Sequence, residues 1–106
     1  MVKQATVTLT GASGRNYDFE VYPWDTQFNH VGAVYCVLRR KPEGNFNIIY
    51  IGQTGDLSER FGDHHKQQCF DRNGKTHIGV YPEPSEARRL TIEADLLGKY
   101  KPACND

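Results

Sequence analysis

The sequence predicts a small α+β protein built on a mainly antiparallel β-sheet that is flanked by helices. Three observations carry this prediction: short apolar or alternating segments rich in β-branched residues, turn-forming residues between them, and two later segments with helix-start signals. A chain of 106 residues can bury one modest core. We therefore expect one compact domain, in which residues 1–31 add an N-terminal β-hairpin to a main unit at residues 32–106.

The N-terminal part reads as a β-hairpin with one buried face. Residues 5–10 alternate and are rich in threonine and valine, whereas residues 17–22 alternate aromatic or apolar with acidic side chains. Residues 11–16 between them carry the glycine, serine and asparagine of a turn. Pro23 ends the hairpin, and residues 24–31 form a connecting loop.

Two strands in the middle of the chain form the predicted centre of the sheet. Residues 32–38 are nearly all apolar, which is typical of a strand covered on both faces. A turn at residues 42–45 leads into a second strand at residues 48–51. So short a connection implies an antiparallel pair, which places Tyr35 and Tyr50 on neighbouring strands.

A turn and a helix should follow the second of these strands. Gly52 and Gly55 flank two polar residues, as in a tight turn. Asp56 can cap a helix, and Glu59 can bond back to the amide of the cap. We expect this helix to reach about Phe70.

A short strand at residues 76–81 and a long helix complete the predicted elements. Ser85 is suited to cap the helix, which should reach about Tyr100 before Pro102 stops it. Glu93 falls on the predicted apolar face, and glutamate is rarely buried unless something pairs with it. The other members of that face are Ala87, Leu90, Ala94 and Leu97, with Leu96 beside them.

Composition narrows the class of protein only a little. Hydrophobic residues make up 38% of the chain and charged residues 25%, which is ordinary for a globular domain. The formal net charge is zero, so a nucleic-acid footprint would be a local patch around residues 39–41, with Arg60 and Lys66.

The expected compartment is the cytoplasm, with no membrane partner. No stretch approaches the roughly 18 apolar residues of a membrane span, and the N-terminus lacks a signal sequence. Cys36, Cys69 and Cys104 are an odd number and widely spaced, so we expect reduced thiols. Histidines lie near Cys69 in sequence, but their spacing matches no standard zinc finger.

Two triplets on the central strands point to a known family. Ala33-Val34-Tyr35 and Tyr50-Ile51-Gly52 resemble the two triplets that give the GIY-YIG nucleases their name, the second one unaltered. Three further positions follow the family in order and spacing: Arg60 for the helix arginine, His64 for a histidine one helical turn later, and Glu93 for the metal-binding glutamate. The run that ends at Asn105 is similar to the family's Pro-x-x-Asn ending.

The chain departs from the family pattern at two places. The first triplet lacks its leading glycine, although Gly32 lies one residue upstream. Many members have a lysine directly after the second triplet, where this chain has Gln53. A neutral amide can bond a phosphate oxygen but contributes no charge. The resemblance covers residues 32–106 and says nothing of residues 1–31.

The resemblance implies a metal-dependent endonuclease that hydrolyses phosphodiester bonds in DNA, or in RNA. Glu93 would hold one Mg²⁺ or Mn²⁺, hard cations that accept a carboxylate, waters and a phosphate oxygen. Tyr50 would be the general base on the attacking water, and Tyr35 would orient that water or Tyr50.

The remaining residues have supporting roles in the same scheme. Arg60 would stabilise charge on the phosphate, and His64 would bond the phosphate or share the proton with Tyr50. Asn105 belongs to the catalytic group but is expected to position the chain end. Gln53 and Lys66 would contact the substrate.

Other interpretations of the same residues stay open. A metal-free pair of Glu93 with Arg60 would be purely structural. The whole domain could also be a catalytically inactive, nuclease-like module that binds nucleic acid or a protein. We expect no appended DNA-binding domain, so recognition would be weak or directed by nucleic-acid structure, or a homodimer or an accessory specificity protein would complete the site.

Overall fold

The structure is a computed structural model that describes residues 5–59 and 66–105, and these residues form a five-stranded sheet with helices on its two faces. The sheet order is β1-β2-β5-β3-β4, and each neighbouring pair is antiparallel. This confirms the predicted small α+β architecture with a mainly antiparallel sheet. The elements are β1 (Ala5–Thr10), β2 (Asn16–Pro23), β3 (Ala33–Arg40), β4 (Phe46–Thr54), a 3₁₀ turn (Leu57–Glu59), α1 (Gln67–Arg72), β5 (His77–Pro82) and α2 (Glu86–Leu97).

The predicted N-terminal hairpin is present as β1 and β2, and it is continuous with the rest of the sheet. Strand β2 pairs with β5, and Phe19 and Val21 are fully buried in the core beneath α2. The turn of the hairpin also binds α2, because Asp95 accepts hydrogen bonds from the Ser13 amide, the Ser13 hydroxyl and the Tyr17 hydroxyl. These bonds lower the pKa of the Asp95 carboxyl, with the Ser13 side chain as the largest cause.

Strand β3 divides the core into two layers because alternate side chains point to opposite faces of a sheet. Val34, Cys36 and Leu38 pack on the face covered by α2. The opposite layer is formed by Ala33, Tyr35 and Val37 with α1 and the C-terminal segment, including Phe70 and Cys104. Both faces are covered, which is why the sequence of β3 is almost uniformly apolar.

Strand β4 is longer than its sequence predicts. It continues to Thr54, so the tight turn predicted from Gly52 onward is wrong. Gly52 lies within the strand, opposite Tyr35. A glycine there reflects close approach of a neighbouring side chain rather than a change of chain direction.

Of the helix predicted from Asp56 to Phe70, the structure describes residues 56–59 and 66–70, and residues 60–65 lie outside the described part of the chain. Its start is a 3₁₀ turn, where Asp56 accepts hydrogen bonds from the Ser58 amide and hydroxyl at 3.0 and 2.6 Å. The Ser58 hydroxyl and then His30 lower the pKa of Asp56 to about 2. Helix α1 begins at Gln67, with Lys66 as its N-cap residue, and ends at Arg72, two residues beyond the predicted helix end.

Helix α2 confirms its predicted cap but not its predicted apolar face. The Ser85 hydroxyl accepts from the Arg88 amide at 3.3 Å, and the helix ends at Leu97 instead of Tyr100. Leu90, placed by the sequence on the buried face, is 48% exposed. The residues that α2 buries are Arg89, Ile92 and Leu96. The sequence predicts the wrong face because an arginine is expected to be exposed, whereas Arg89 is buried with hydrogen bonds to backbone carbonyl oxygens.

The expectation of three reduced thiols is also wrong. Cys69 of α1 and Cys104 of the C-terminal segment form a disulfide, while Cys36 is a buried free thiol. The two bonded residues are 35 positions apart, and only the packing of α1 beside β4 brings their Cα atoms to 5.9 Å. The spacing of the cysteines in the sequence does not predict this approach. No helix within the described ranges is long and apolar enough to cross a membrane.

We predict that the hydroxyl of Tyr17 stabilises the junction between the hairpin and α2. Tyr17 is buried and donates to Asp95 at 2.9 Å, so Tyr17→Phe should lower the free energy of unfolding by about 1 kcal/mol in urea titrations. Tyr22→Phe is the matched control, because its hydroxyl makes a longer bond of 3.4 Å to Glu20. Equal effects of the two substitutions would contradict this role of Tyr17.

Candidate active site

Two tyrosines on adjacent strands form the centre of the candidate site. The register of β3 and β4 sets Tyr35 opposite Gly52 and Val37 opposite Tyr50. Tyr35 and Tyr50 therefore lie diagonally on one face, with their ring centroids 6.1 Å apart. Their side chains share a hydrogen bond. Tyr35 is 3% exposed, whereas Tyr50 is only partly buried and so is the one that can meet a substrate.

Gly52 makes room for this pair. A Cβ atom at this position would lie 2.7 Å from Cε2 of Tyr50 and 3.0 Å from the Tyr35 hydroxyl. Both distances are too short for ordinary contact. The last residue of the second triplet is thus explained by packing of the tyrosines over a bare backbone.

A β-bulge lies directly before Tyr50. The pairing shifts between Val37 and Leu38, which face Tyr50 and Ile48, so Ile49 is the extra residue. Bulges bend a strand and redirect its side chains. Here the bulge orients the part of β4 that carries Tyr50.

Glu93 of α2 acts on Tyr50 through its charge. The carboxyl is partly buried, and desolvation raises its pKa. Within the described ranges, the ion pairs are His30–Asp56, Lys75–Asp71 and Arg88–Glu83, and Glu93 is in none of them. A cation that comes near a partly desolvated carboxyl group stabilises its charged form.

The pKa of Tyr50 is raised above its ordinary value. Burial is the largest cause and the negative charge of Glu93 adds to it, while the hydrogen bond with Tyr35 opposes both. In the free protein the Tyr50 hydroxyl is therefore protonated at neutral pH. A nearby cation would shift its pKa downward, toward the phenolate.

Gln53 is held by a residue that the sequence analysis missed. Its Oε1 atom accepts from Nε of Arg89 at 2.9 Å. Arg89 is 6% exposed and also donates to the carbonyl oxygens of Glu83 and Pro84. The arginine therefore ties the end of β4 to the start of α2, one helical turn before Glu93.

A weak sequence signal for this arginine exists in two glycines. A Cβ on Gly32 would lie 2.4 Å from Nη1 of Arg89, and one on Gly55 would lie 3.5 Å from Nη2. In the sequence, Gly32 is notable only for its place one residue before the first triplet. In the structure, the atom closest to a Cβ on Gly32 belongs to the guanidinium of Arg89.

Asn105 binds the backbone of β4 beside the tyrosine pair. Its amide accepts from the Ile51 N–H and donates to the Ile51 carbonyl oxygen, both at 2.8 Å. The side chain thereby replaces one residue of a paired strand at the open edge of β4. This placement suits the expected role of positioning the chain end.

Three sequence-predicted residues are not brought into the site by the described structure. Arg60 and His64 lie outside the described residues. Lys66 directly precedes α1, where its carbonyl oxygen accepts from the Phe70 amide. The structure thus brings Tyr35 and Tyr50 into contact, and the charge of Glu93 reaches Tyr50 from α2. Gln53 lies near the end of the strand that carries Tyr50, and Asn105 binds the backbone of that strand.

The donor set suits a metal held mostly by water and substrate. Among the described residues, no group of three or more histidine, cysteine, aspartate or glutamate side chains could hold an ion. Glu93 offers a single partly desolvated carboxylate. That fits Mg²⁺ or Mn²⁺, which keep several waters and bind through one or two carboxylates and phosphate oxygens.

In comparisons with known proteins, no family model, curated protein or solved structure matches the chain.

We predict that Gly52 cannot carry a side chain without displacing the tyrosines. Gly52→Ala should lower the free energy of unfolding by about 1–3 kcal/mol, as overpacking does, and should perturb the near-ultraviolet tyrosine signal. Gly55→Ala is the control, since its nearest new contact would be an ordinary 3.5 Å from Arg89. A neutral effect of Gly52→Ala would refute the close packing.

We also predict opposite shifts of the Tyr50 pKa in two variants. Glu93→Gln removes a negative charge and should lower the pKa of Tyr50, whereas Tyr35→Phe removes a hydrogen bond and should raise it. Titration of ¹³Cζ-labelled tyrosine by NMR measures both. Tyr22 is an internal control, because its pKa depends on burial and Glu20. Shifts of the same sign in the two variants would contradict the assigned contacts.

Proposed function

We propose that the protein is a metal-dependent endonuclease that hydrolyses phosphodiester bonds in DNA, with RNA as a second substrate class. One observation carries the proposal: the hydrogen-bonded pair of Tyr35 and Tyr50 lies within the electrostatic reach of Glu93. These three residues come from two strands and a helix, and they occupy the positions that the resemblance to GIY-YIG nucleases assigns to chemistry.

Tyr50 takes the proton from the attacking water in this proposal. Because its pKa is raised in the free protein, phenolate must be favoured when substrate and metal are bound. The hydrogen bond from Tyr35 already acts in that direction. Tyr35 is buried and held over Gly52, so it fixes the position of the Tyr50 oxygen.

Glu93 is the residue that would hold the divalent ion. When bound, the ion would neutralise charge on the phosphate and stabilise the leaving oxygen. The attraction of the ion would also offset the unfavourable desolvation of the Glu93 carboxylate. Arg60 and His64 retain their proposed roles as phosphate ligand and proton partner, and Gln53, held by Arg89, presents a neutral amide in place of a lysine.

Recognition of nucleic acid in this proposal depends on a second component. The net charge of the chain is zero, which gives no long-range attraction to a polyanion. Arg39, Arg40 and Lys41, with Lys66, are the basic residues proposed to meet the phosphate backbone. A second copy of the chain or an accessory protein would supply specificity.

A binding module without catalysis is the second candidate, and two observations favour it. The raised pKa of Tyr50 opposes its use as a base in the free protein. The Oε1 atom of Gln53 is occupied by Arg89, whereas a lysine in its place would bring a positive charge. Such a module would bind nucleic acid or a protein at the same surface and leave it uncut.

We place the proposed nuclease in the cytoplasm. A disulfide is rare in that compartment, where thiols are kept reduced and exceptions are often transient or redox-sensing. The bond between Cys69 and Cys104 would therefore open and close there.

The decisive experiment is a cleavage assay on plasmid, single-stranded and branched DNA with Mg²⁺ or Mn²⁺. We predict that Glu93→Gln and Tyr50→Phe each reduce the rate by about 10²–10⁴-fold, the usual range for a lost acid–base group. The wild-type rate should rise with pH, because the raised pKa of Tyr50 limits the phenolate fraction.

Glu86→Gln and Tyr22→Phe are the matched controls. Glu86 is exposed in the first turn of α2, and Tyr22 lies on β2, which pairs with neither β3 nor β4. Both variants should keep the wild-type rate. Cleavage that survives Glu93→Gln and Tyr50→Phe would refute the nuclease. Binding of DNA without any cleavage would favour the binding module.

A further inference from the structure

The Cys69–Cys104 disulfide joins the two segments that enclose Tyr50. Cys69 belongs to α1, and its neighbour Phe70 is fully buried with its ring centroid 5.3 Å from that of Tyr50. Cys104 belongs to the C-terminal segment, which runs beside the strand that carries Tyr50. The bond therefore links the two sides of the candidate site.

The C-terminal segment closes the edge of the sheet at this point. Strand β4 is the last in the sheet order, so one side of its backbone has no neighbouring strand among residues 5–59 and 66–105. The Cys104 amide donates to the Ile49 carbonyl oxygen at 3.0 Å, and the Asn105 amide makes its two bonds to Ile51. These bonds fall on both sides of Tyr50.

Buried and exposed residues alternate along the C-terminal segment. Pro102 and Cys104 are buried, whereas Lys101 and Ala103 are exposed. Among the described residues, three hydrogen bonds hold Cys104 and Asn105 on β4, and one covalent bond holds Cys104 to α1. The covalent bond is the one that a chemical signal can remove.

We propose that Cys69 and Cys104 form a reversible redox site that controls the closure of the C-terminal segment over the β4 edge. The disulfide holds Asn105 on Ile51, and reduction releases it. The consequence for catalysis rests on the proposed nuclease function, while the structural change does not. The chemical partner is a dithiol, either a small molecule or a protein.

The exchange reaction is balanced with a dithiol as reductant. Cys69 is partly exposed and Cys104 is 1% exposed, so the incoming thiolate attacks Sγ of Cys69. The Cys69–Cys104 bond breaks, and Cys104 leaves as a thiolate. The second thiol of the dithiol then displaces Cys69. Two electrons and two protons pass to the protein, and the reductant becomes a disulfide.

Asn73 is placed to assist this reaction. Its Nδ2 atom lies 3.6 Å from each sulfur and donates to the Cys69 carbonyl oxygen at 2.8 Å. An N–H donor beside a leaving thiolate stabilises the charged form and speeds its departure. Asn73 is thus a positioning residue for both sulfurs at the end of α1.

Reduction should act locally and leave the sheet intact. Residues 69 and 104 are 35 positions apart, so the cross-link removes much of the freedom of the chain end. Without it, the segment opens more often and exposes the Ile51 amide. Tyr50 then loses a fixed neighbour on one side, while β3 remains paired on both sides.

The first test is amide hydrogen exchange of the oxidised and dithiol-reduced protein. The Ile51 amide should exchange at least about tenfold faster after reduction, and the amides of β3 should be unchanged. Alkylation of the denatured protein checks the redox state: one thiol, Cys36, should react before reduction and three after it. Equal exchange at Ile51 in the two states would overturn the proposal.

Cys69→Ser provides the internal control. This variant lacks the disulfide, so its Ile51 amide should exchange like that of the reduced wild type, and the dithiol should have no effect on it. A dithiol effect that persists in Cys69→Ser would overturn the proposal, because it would come from another group. Asn73→Leu should slow reduction of the wild-type disulfide severalfold, and an unchanged rate would overturn its positioning role.

The cleavage assay separates this proposal from the proposed function. A drop in rate of about tenfold on reduction, absent in Cys69→Ser, would support both proposals. No cleavage in either state, with faster exchange at Ile51, would refute the nuclease and support the redox site. Cleavage at one rate in both states, with equal exchange, would overturn the redox site and support the nuclease.

Discussion

The pairing of β3 with β4 is the constraint on which the rest of the structure depends. Its register sets Tyr35 over Gly52, so that the ring occupies the space that a side chain on β4 would otherwise fill. The bulge at Ile49 follows from the same pairing and orients Tyr50. The contacts of Arg89 with Gln53 and of Asn105 with Ile51 are also made to β4.

The two ends of β4 are secured by different kinds of interaction. At its C-terminal end, the buried guanidinium of Arg89 joins Gln53 to the start of α2. Along its open edge, Asn105 substitutes for a neighbouring strand at Ile51. The first interaction fixes the helix that carries Glu93, and the second fixes the chain end that the disulfide tethers.

The electrostatics of the site favour a bound cation. Both Tyr50 and Glu93 have pKa values raised by burial, and the charge of Glu93 raises that of Tyr50 further. Burying the carboxylate of Glu93 without a cation is unfavourable. The protonated phenol of Tyr50 cannot take a proton from water. One divalent ion would relieve both, which gives a single physical reason for the metal in the proposed mechanism.

The sequence by itself determined the five strands, the antiparallel pairing of β1 with β2 and of β3 with β4, and the positions of both tyrosines, because apolar alternation and short turns are local properties. The insertion of β5 between β2 and β3 was decided by the tertiary structure. The sequence also identified Glu93, although by way of an apolar face that α2 does not bury. Tertiary structure alone decided which face of α2 is covered, since Arg89 becomes buried only through bonds to backbone and to Gln53. It likewise decided the Cys69–Cys104 pairing and the role of Asn105, because both depend on the chain end returning to β4 from far along the sequence.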